Sequence, residues 1–121
     1  MKKILIVEDN EITAKLFRII IESLQHEALI AGTGEVGIVI AKENIPDLII
    51  MDIRLPGMSG VEAFQKLQEE PDTQNIPVIA VTANVMRGDK EKLLTLGFSD
   101  YIAKPIKKDN FIQILQKTLG E

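Results

Sequence analysis

With 121 residues, 45% of them hydrophobic, the chain is long enough to bury one core and too short for two. Its formal charge of −4, from 14 basic and 18 acidic residues with no basic patch, argues against nucleic acid or an anionic membrane as a direct partner. The lack of cysteine excludes a disulfide framework, a thiolate metal site and a cysteine nucleophile.

Met1-Lys2-Lys3 has the charge of a signal n-region, but the apolar run behind it, Ile4-Leu5-Ile6-Val7, stops at Glu8-Asp9. That is too short for a signal core or a membrane span, so a cytoplasmic protein is expected. The run reads as a first buried strand ending in two acids. Asn10 is placed to cap the helix that follows. In that helix Ile12, Leu16, Ile19, Ile20 and Leu24 have helical spacing and are expected to face the core. Phe17 and Ile21 widen the apolar surface, which gives either a broadly buried helix or a face for docking another protein.

Glu27 to Ala31 reads as a second strand, and Gly32-Thr33-Gly34 turns the chain into a helix from about Glu35 to Lys42. Gly32, Gly34 and Gly37 match a dinucleotide-binding fingerprint, with Asp52 downstream as the acidic residue. The match is read as coincidence. That fingerprint belongs to the first strand-helix turn, which here carries Glu8-Asp9 and would repel a pyrophosphate; turn formation and close packing account for the glycines.

Leu48-Ile49-Ile50-Met51, bounded by Pro46-Asp47 and Pro56-Gly57, reads as a central strand buried on both faces and ending at Asp52. A loop through Arg54, Gly57 and Gly60 follows, with Ser59 as cap for a helix carrying Val61, Phe64 and Leu67. Pro71 to Asn75 is expected to be a surface turn. Ile76 to Val81 gives a fourth strand ending at Thr82-Ala83-Asn84, and a mostly polar helix from Met86 to Leu96 is stopped by Gly97. Asp100 to Ala103 is a fifth strand ending at Lys104-Pro105. A last helix, roughly Lys108 to Leu119, directs Phe111, Ile112, Ile114, Leu115 and Leu119 to the sheet. His26 is expected at the surface, away from any site.

Strands alternating with helices give an α/β protein. The expected architecture is a doubly wound five-stranded parallel sheet, flavodoxin-like (βα)5, with strand order 2-1-3-4-5. That order brings Glu8, Asp9 and Asp52 to one rim at the C-terminal ends of the strands, where ligands bind in such sheets. Carboxylates so placed repel by about 4 kcal/mol per pair at about 4 Å and an effective dielectric of about 20. A cation is therefore called for, and oxygen-only ligands with no cysteine or nearby histidine favour Mg2+ over Zn2+. An ion on Asp52 and Asp9 could also hold a phosphoryl group, with Thr82 as a hydroxyl donor and Lys104 as a positive charge for its oxygens. Asp52, central and flanked by acids, is the expected nucleophile, since carboxylates form aspartyl phosphates.

Glu8-Asp9, Asp52, Thr82-Ala83 and Lys104-Pro105 at the ends of the first, third, fourth and fifth strands, with the loop Leu55-Pro56-Gly57-Met58-Ser59-Gly60, resemble the receiver domain of two-component response regulators. The resemblance runs from Lys3 to Leu119. It implies that Asp52 accepts a phosphoryl group from the phosphohistidine of a histidine kinase or phosphotransfer protein. By the same resemblance Asp9, Asp52 and the Arg54 carbonyl bind Mg2+ directly, and Glu8 binds it through water. Thr82 and Lys104 would hold the phosphoryl oxygens, and the Lys104-Pro105 peptide is expected to be cis. Thr82 and Tyr101 correspond to a switch pair that changes the surface of the fourth helix, fifth strand and fifth helix for a downstream protein. Tyr101 reads equally as a static strand residue with a polar tip.

The resemblance implies a single domain over residues 1–121 with no output domain, and no enzymatic activity beyond its own phosphorylation and dephosphorylation. Either a stand-alone protein or a portion of a longer one fits. A small haloacid-dehalogenase-like phosphatase would want a second acid two residues after the nucleophile, where Arg54 stands. A flavin carrier would want phosphate-binding loops where this chain has acids.

Overall fold

The computed structural model describes residues 1–83 and 89–121. The short β-branched runs form strands and the amphipathic stretches between them form helices: β1 (Lys3–Val7), α1 (Glu11–Ser23), β2 (Glu27–Ala31), α2 (Gly34–Asn44), β3 (Leu48–Asp52), α3 (Gly60–Gln68), β4 (Val78–Thr82), α4 (Asp89–Leu96), β5 (Asp100–Ala103) and α5 (Lys108–Leu119). The strands lie in the order β2-β1-β3-β4-β5, every neighbouring pair parallel. The expected Asn84 and the start of the fourth helix at Met86 lie outside the described residues.

Side chains alternate between two cores, as the period of a strand requires. Ile4, Ile6, Leu48, Ile50, Ile79, Val81 and Ile102 pack beneath α1 and α5. Leu5, Val7, Ile49, Met51, Val78 and Ala80 pack beneath α2, α3 and α4. Phe17 and Phe111 meet edge to face at 4.9 Å and join α1 to α5, while Phe64 and Phe98 stack at 4.0 Å under the opposite layer. The central strand β3 is buried at all five positions, Asp52 included. Its end is therefore fixed by packing on both sides.

Caps close the helices where sequence placed them. The Asn10 side chain accepts from the Thr13 amide and the Ser59 side chain from the Glu62 amide. A Cβ on Gly37 would come within 2.8 Å of Val7 Cγ2, so that glycine allows α2 to lie close on β1. This agrees with reading Gly37 as a close-packing glycine, whereas Gly32 meets nothing within 4 Å.

The expected orientation of α1 is reversed in part. Phe17 and Ile21 are fully buried and Ile20 nearly so, whereas Ile12, Leu16 and Ile19 are 81%, 41% and 52% exposed. Two apolar stripes share this helix, and the one containing the aromatic residue faces the sheet because Phe111 offers it a partner. Phe17 and Ile21 therefore cannot be docking contacts.

His26 is likewise no surface residue: its side chain is only 9% exposed, Nδ1 accepts from the Lys2 amide at 3.1 Å, and Nε2 lies 3.2 Å from Glu121 Oε1. It ties the start of β1 to the end of the chain, at the edge of the sheet opposite the acids. Thr73, in the expected surface turn, is also buried, donating its hydroxyl to the Leu67 carbonyl at 2.6 Å.

Candidate functional site

β1 and β3 are adjacent, with Val7 in register with Met51. The residues that follow, Glu8 and Asp9 on one side and Asp52 on the other, therefore meet at the C-terminal rim. One carboxylate oxygen from each of the three lies within 4.8 Å of the others. Glu8 and Asp52 are 3% and 5% exposed, and Asp9 faces solvent.

Lys104 reaches across from the end of β5. Its Nζ donates to Asp52 Oδ2 at 2.9 Å and stands 3.0 Å from Glu8 Oε1 as an ion pair. The Arg54 amide donates to Asp52 Oδ1 at 2.9 Å, and the Asn10 amide to Glu8 Oε2 at 3.3 Å. Glu8 Oε1 is buried with no aligned hydrogen-bond donor, so the ammonium neutralises this oxygen without satisfying it. Burial pushes the Glu8 carboxyl up to about 7, reinforced by Asp52 and opposed by Lys104 and the Asn10 amide. Burial pulls Lys104 the other way, but its hydrogen bond to Asp52 and its pairing with Glu8 outweigh that, and its pKa rises.

These observations test whether a hard dication suits the site. The donors are carboxylate oxygens only, two of them are buried, and one oxygen lacks a donor. The residues fit such an ion. Among the described residues this is the cluster that could hold a metal.

Thr82 ends β4 on the strand next to β3 and is buried at 8% exposure. On the same sheet face Tyr101 is in register with Ala80, and Ala103 with Thr82. Tyr101 is half-buried and its ring lies under the Lys90 ammonium, 5.6 Å from Nζ to the ring centroid. The Lys104-Pro105 peptide is cis. A cavity of about 310 Å3, lined among the described residues by Ile53, Arg54, Val61, Thr82 and three residues of α4, adjoins the rim.

Gly60 has a positioning role that sequence reading did not assign. A Cβ there would collide with the Asp52 carbonyl oxygen, and its amide donates to the Ile53 carbonyl at 2.9 Å. The glycine lets α3 start directly against the end of β3, which fixes the loop carrying Arg54. The available signal was its place immediately after the cap Ser59.

The family model for the response regulator receiver domain matches residues 4–116 of the chain. The chain belongs to the response regulator receiver family. Among its relatives is the polar-differentiation response regulator DivK of Brucella ovis, 43% identical over 120 residues, covering 99% of this chain and 98% of that protein. The receiver domain of a sensor histidine kinase from Pseudomonas aeruginosa PAO1, 33% identical, superposes with a TM-score of 0.89 over 99% of this chain and 98% of that one. That structure has a magnesium ion coordinated in its active site cleft. The signal receiver domain of a histidine kinase from Syntrophus aciditrophicus, 30% identical, gives a TM-score of 0.88 over 99% of this chain and 91% of that one. The chain is thus a response regulator receiver domain of a two-component system, on the flavodoxin-like fold of its relatives. Among its described residues no helix is long and apolar enough to cross a membrane.

Proposed function

We propose that this receiver domain is a phosphorylation switch whose acceptor is Asp52. The observation that carries the reading is the meeting of Glu8, Asp9 and Asp52 within 4.8 Å beside the Lys104 ammonium. Mg2+ would be held by Asp9, Asp52 and the Arg54 carbonyl, with Glu8 acting through water. When bound, the ion neutralises the rim and the charge on an incoming phosphoryl group.

The remaining roles belong to the chain's own groups. An Asp52 carboxylate oxygen attacks phosphorus, and the phosphohistidine imidazole of a kinase or phosphotransfer protein leaves. Lys104, now hydrogen-bonded to Asp52 Oδ2, transfers that interaction to a phosphoryl oxygen. Thr82 supplies a hydroxyl to another. Thr82 and Tyr101 share one sheet face, with Ala80 and Ala103 as small neighbours, which supports their acting as a pair. Their movement alters the surface of α4, β5 and α5 presented to a target protein. The domain then acts in the cytoplasm by binding and catalyses only its own phosphorylation and dephosphorylation.

The exposed stripe Ile12, Leu16 and Ile19 on α1 replaces Phe17 and Ile21 as the contact for a histidine-bearing helix. The test of the whole reading is incubation with a phosphohistidine donor and Mg2+. An acid-stable, alkali-labile phosphate is expected on Asp52, and equal labelling of Asp52→Asn would overturn the assignment.

A further inference from the structure

Tyr101 is the sole tyrosine, and the chain has no tryptophan. Its ring lies on the α4 side of the edge strand β5, in register with Ala80 and packed against the core on that side. On the outer side a groove of about 250 Å3, lined by Lys90, Asp100, Tyr101, Ala103, Asn110 and Ile114, leaves the ring incompletely packed. The Lys90 ammonium stands 5.6 Å from its centroid, within reach of a cation–π attraction.

We propose that Lys90 is a latch on Tyr101: its ammonium holds the ring in the half-buried position, and it sets how readily the ring turns inward. The proposal rests on the switch reading above and adds the residue that fixes its resting balance. A ring moving toward Ala80 withdraws its face from an ammonium carried on a different element, so the attraction favours the outward state alone. A contact of this kind at a partly exposed site changes a two-state balance about two- to fivefold. By reciprocity, whatever holds Tyr101 outward weakens binding of a phosphoryl group at Asp52, by that factor at most. Lys90 acts here as a positioning residue and touches no reacting atom.

Tyrosine emission reports on Tyr101 alone, so the latch is measurable in the intact chain. The probe is beryllofluoride with Mg2+, a mimic of the phosphoryl group, with occupancy followed separately by fluorine NMR. Lys90→Met should lower the half-saturating beryllofluoride concentration about two- to fivefold, while Lys90→Arg, which keeps the cation, retains the wild-type midpoint. In a Tyr101→Leu background Lys90→Met should leave the midpoint unchanged. An unaltered midpoint in Lys90→Met, or the same decrease without the ring, overturns the latch while the switch reading stands. If wild-type emission does not respond although fluorine NMR shows the site filled, the switch reading fails and the latch falls with it.

Discussion

Lys104 Nζ donates a 2.9 Å hydrogen bond to Asp52 Oδ2 across three strand ends, and the same ammonium lies 3.0 Å from Glu8. One cation thus holds two buried carboxylates that would otherwise repel. The fold places this cation by ending β5 beyond β4, on the side of β3 away from the acids of β1.

Replacing Lys104 by Met should therefore act twice. Loss of a charge-assisted hydrogen bond to the phosphoryl group should slow phosphorylation of Asp52 by about 10- to 100-fold. Without Mg2+ the two acids lose their counter-charge, and the folded state should weaken by about 1–3 kcal/mol. Stopped-flow phosphorylation and urea melts check the two effects.

Glu8 predicts an unusual pH dependence. Its folded carboxyl keeps its proton up to about 7, against an ordinary 4.5. Between those values the folded state binds more protons than the unfolded one, so metal-free stability falls as pH rises, by at most about 3 kcal/mol. A dication favours the ionised carboxylate, so Mg2+ affinity should rise over the same range. Thermal melts should show this decline without Mg2+ and a nearly flat profile at saturating Mg2+, and Glu8→Gln should flatten the metal-free one.

The two stripes of α1 separate docking from folding. Ile12→Asp with Ile19→Asp should slow transfer from a phosphohistidine protein about tenfold or more, through loss of buried apolar contact. A small phosphodonor should react at the wild-type rate. Phe17→Ala should instead destabilise the domain by about 3–5 kcal/mol, because it leaves a cavity against Phe111. Slowed transfer from both donors in the surface variant would count against the docking role.

Gly60→Ala should disturb the site from outside it. The added methyl meets the backbone of Asp52 and Ile53, which cannot swing aside as a side chain can. Stability should fall by about 1–3 kcal/mol, with weaker Mg2+ binding; an unchanged ion affinity would mean that the loop is free to adjust.

The sheet was legible because β1, β3 and β4 are short apolar runs buried on both faces, and its doubly wound order followed from strands alternating with helices. Val7 and Met51 pair, and Glu8 and Asp52 follow. Helix α1 was not legible to the same degree. Ile12, Leu16 and Ile19 repeat as regularly as Phe17, Ile20 and Ile21, and spacing alone cannot tell which stripe meets the sheet. Only the position of Phe111, more than 90 residues away, decides it. His26 was misjudged for a similar reason: its partners, Lys2 and Glu121, are distant in sequence. Gly60 was missed because its role depends on the backbone of Asp52 and Ile53, on another element.

The central claim is that Asp9 and Asp52 share an ion that enables Asp52 to accept phosphorus. It is tested most directly by measuring Mg2+ binding by calorimetry and phosphorylation from a small phosphodonor in parallel, for wild type and Asp9→Asn. The account predicts that the phosphorylation rate saturates at the Mg2+ concentration that saturates binding, and that Asp9→Asn weakens both together by about 10-fold or more. Undiminished phosphorylation in the presence of a chelator, or in Asp9→Asn without tight binding, would contradict it.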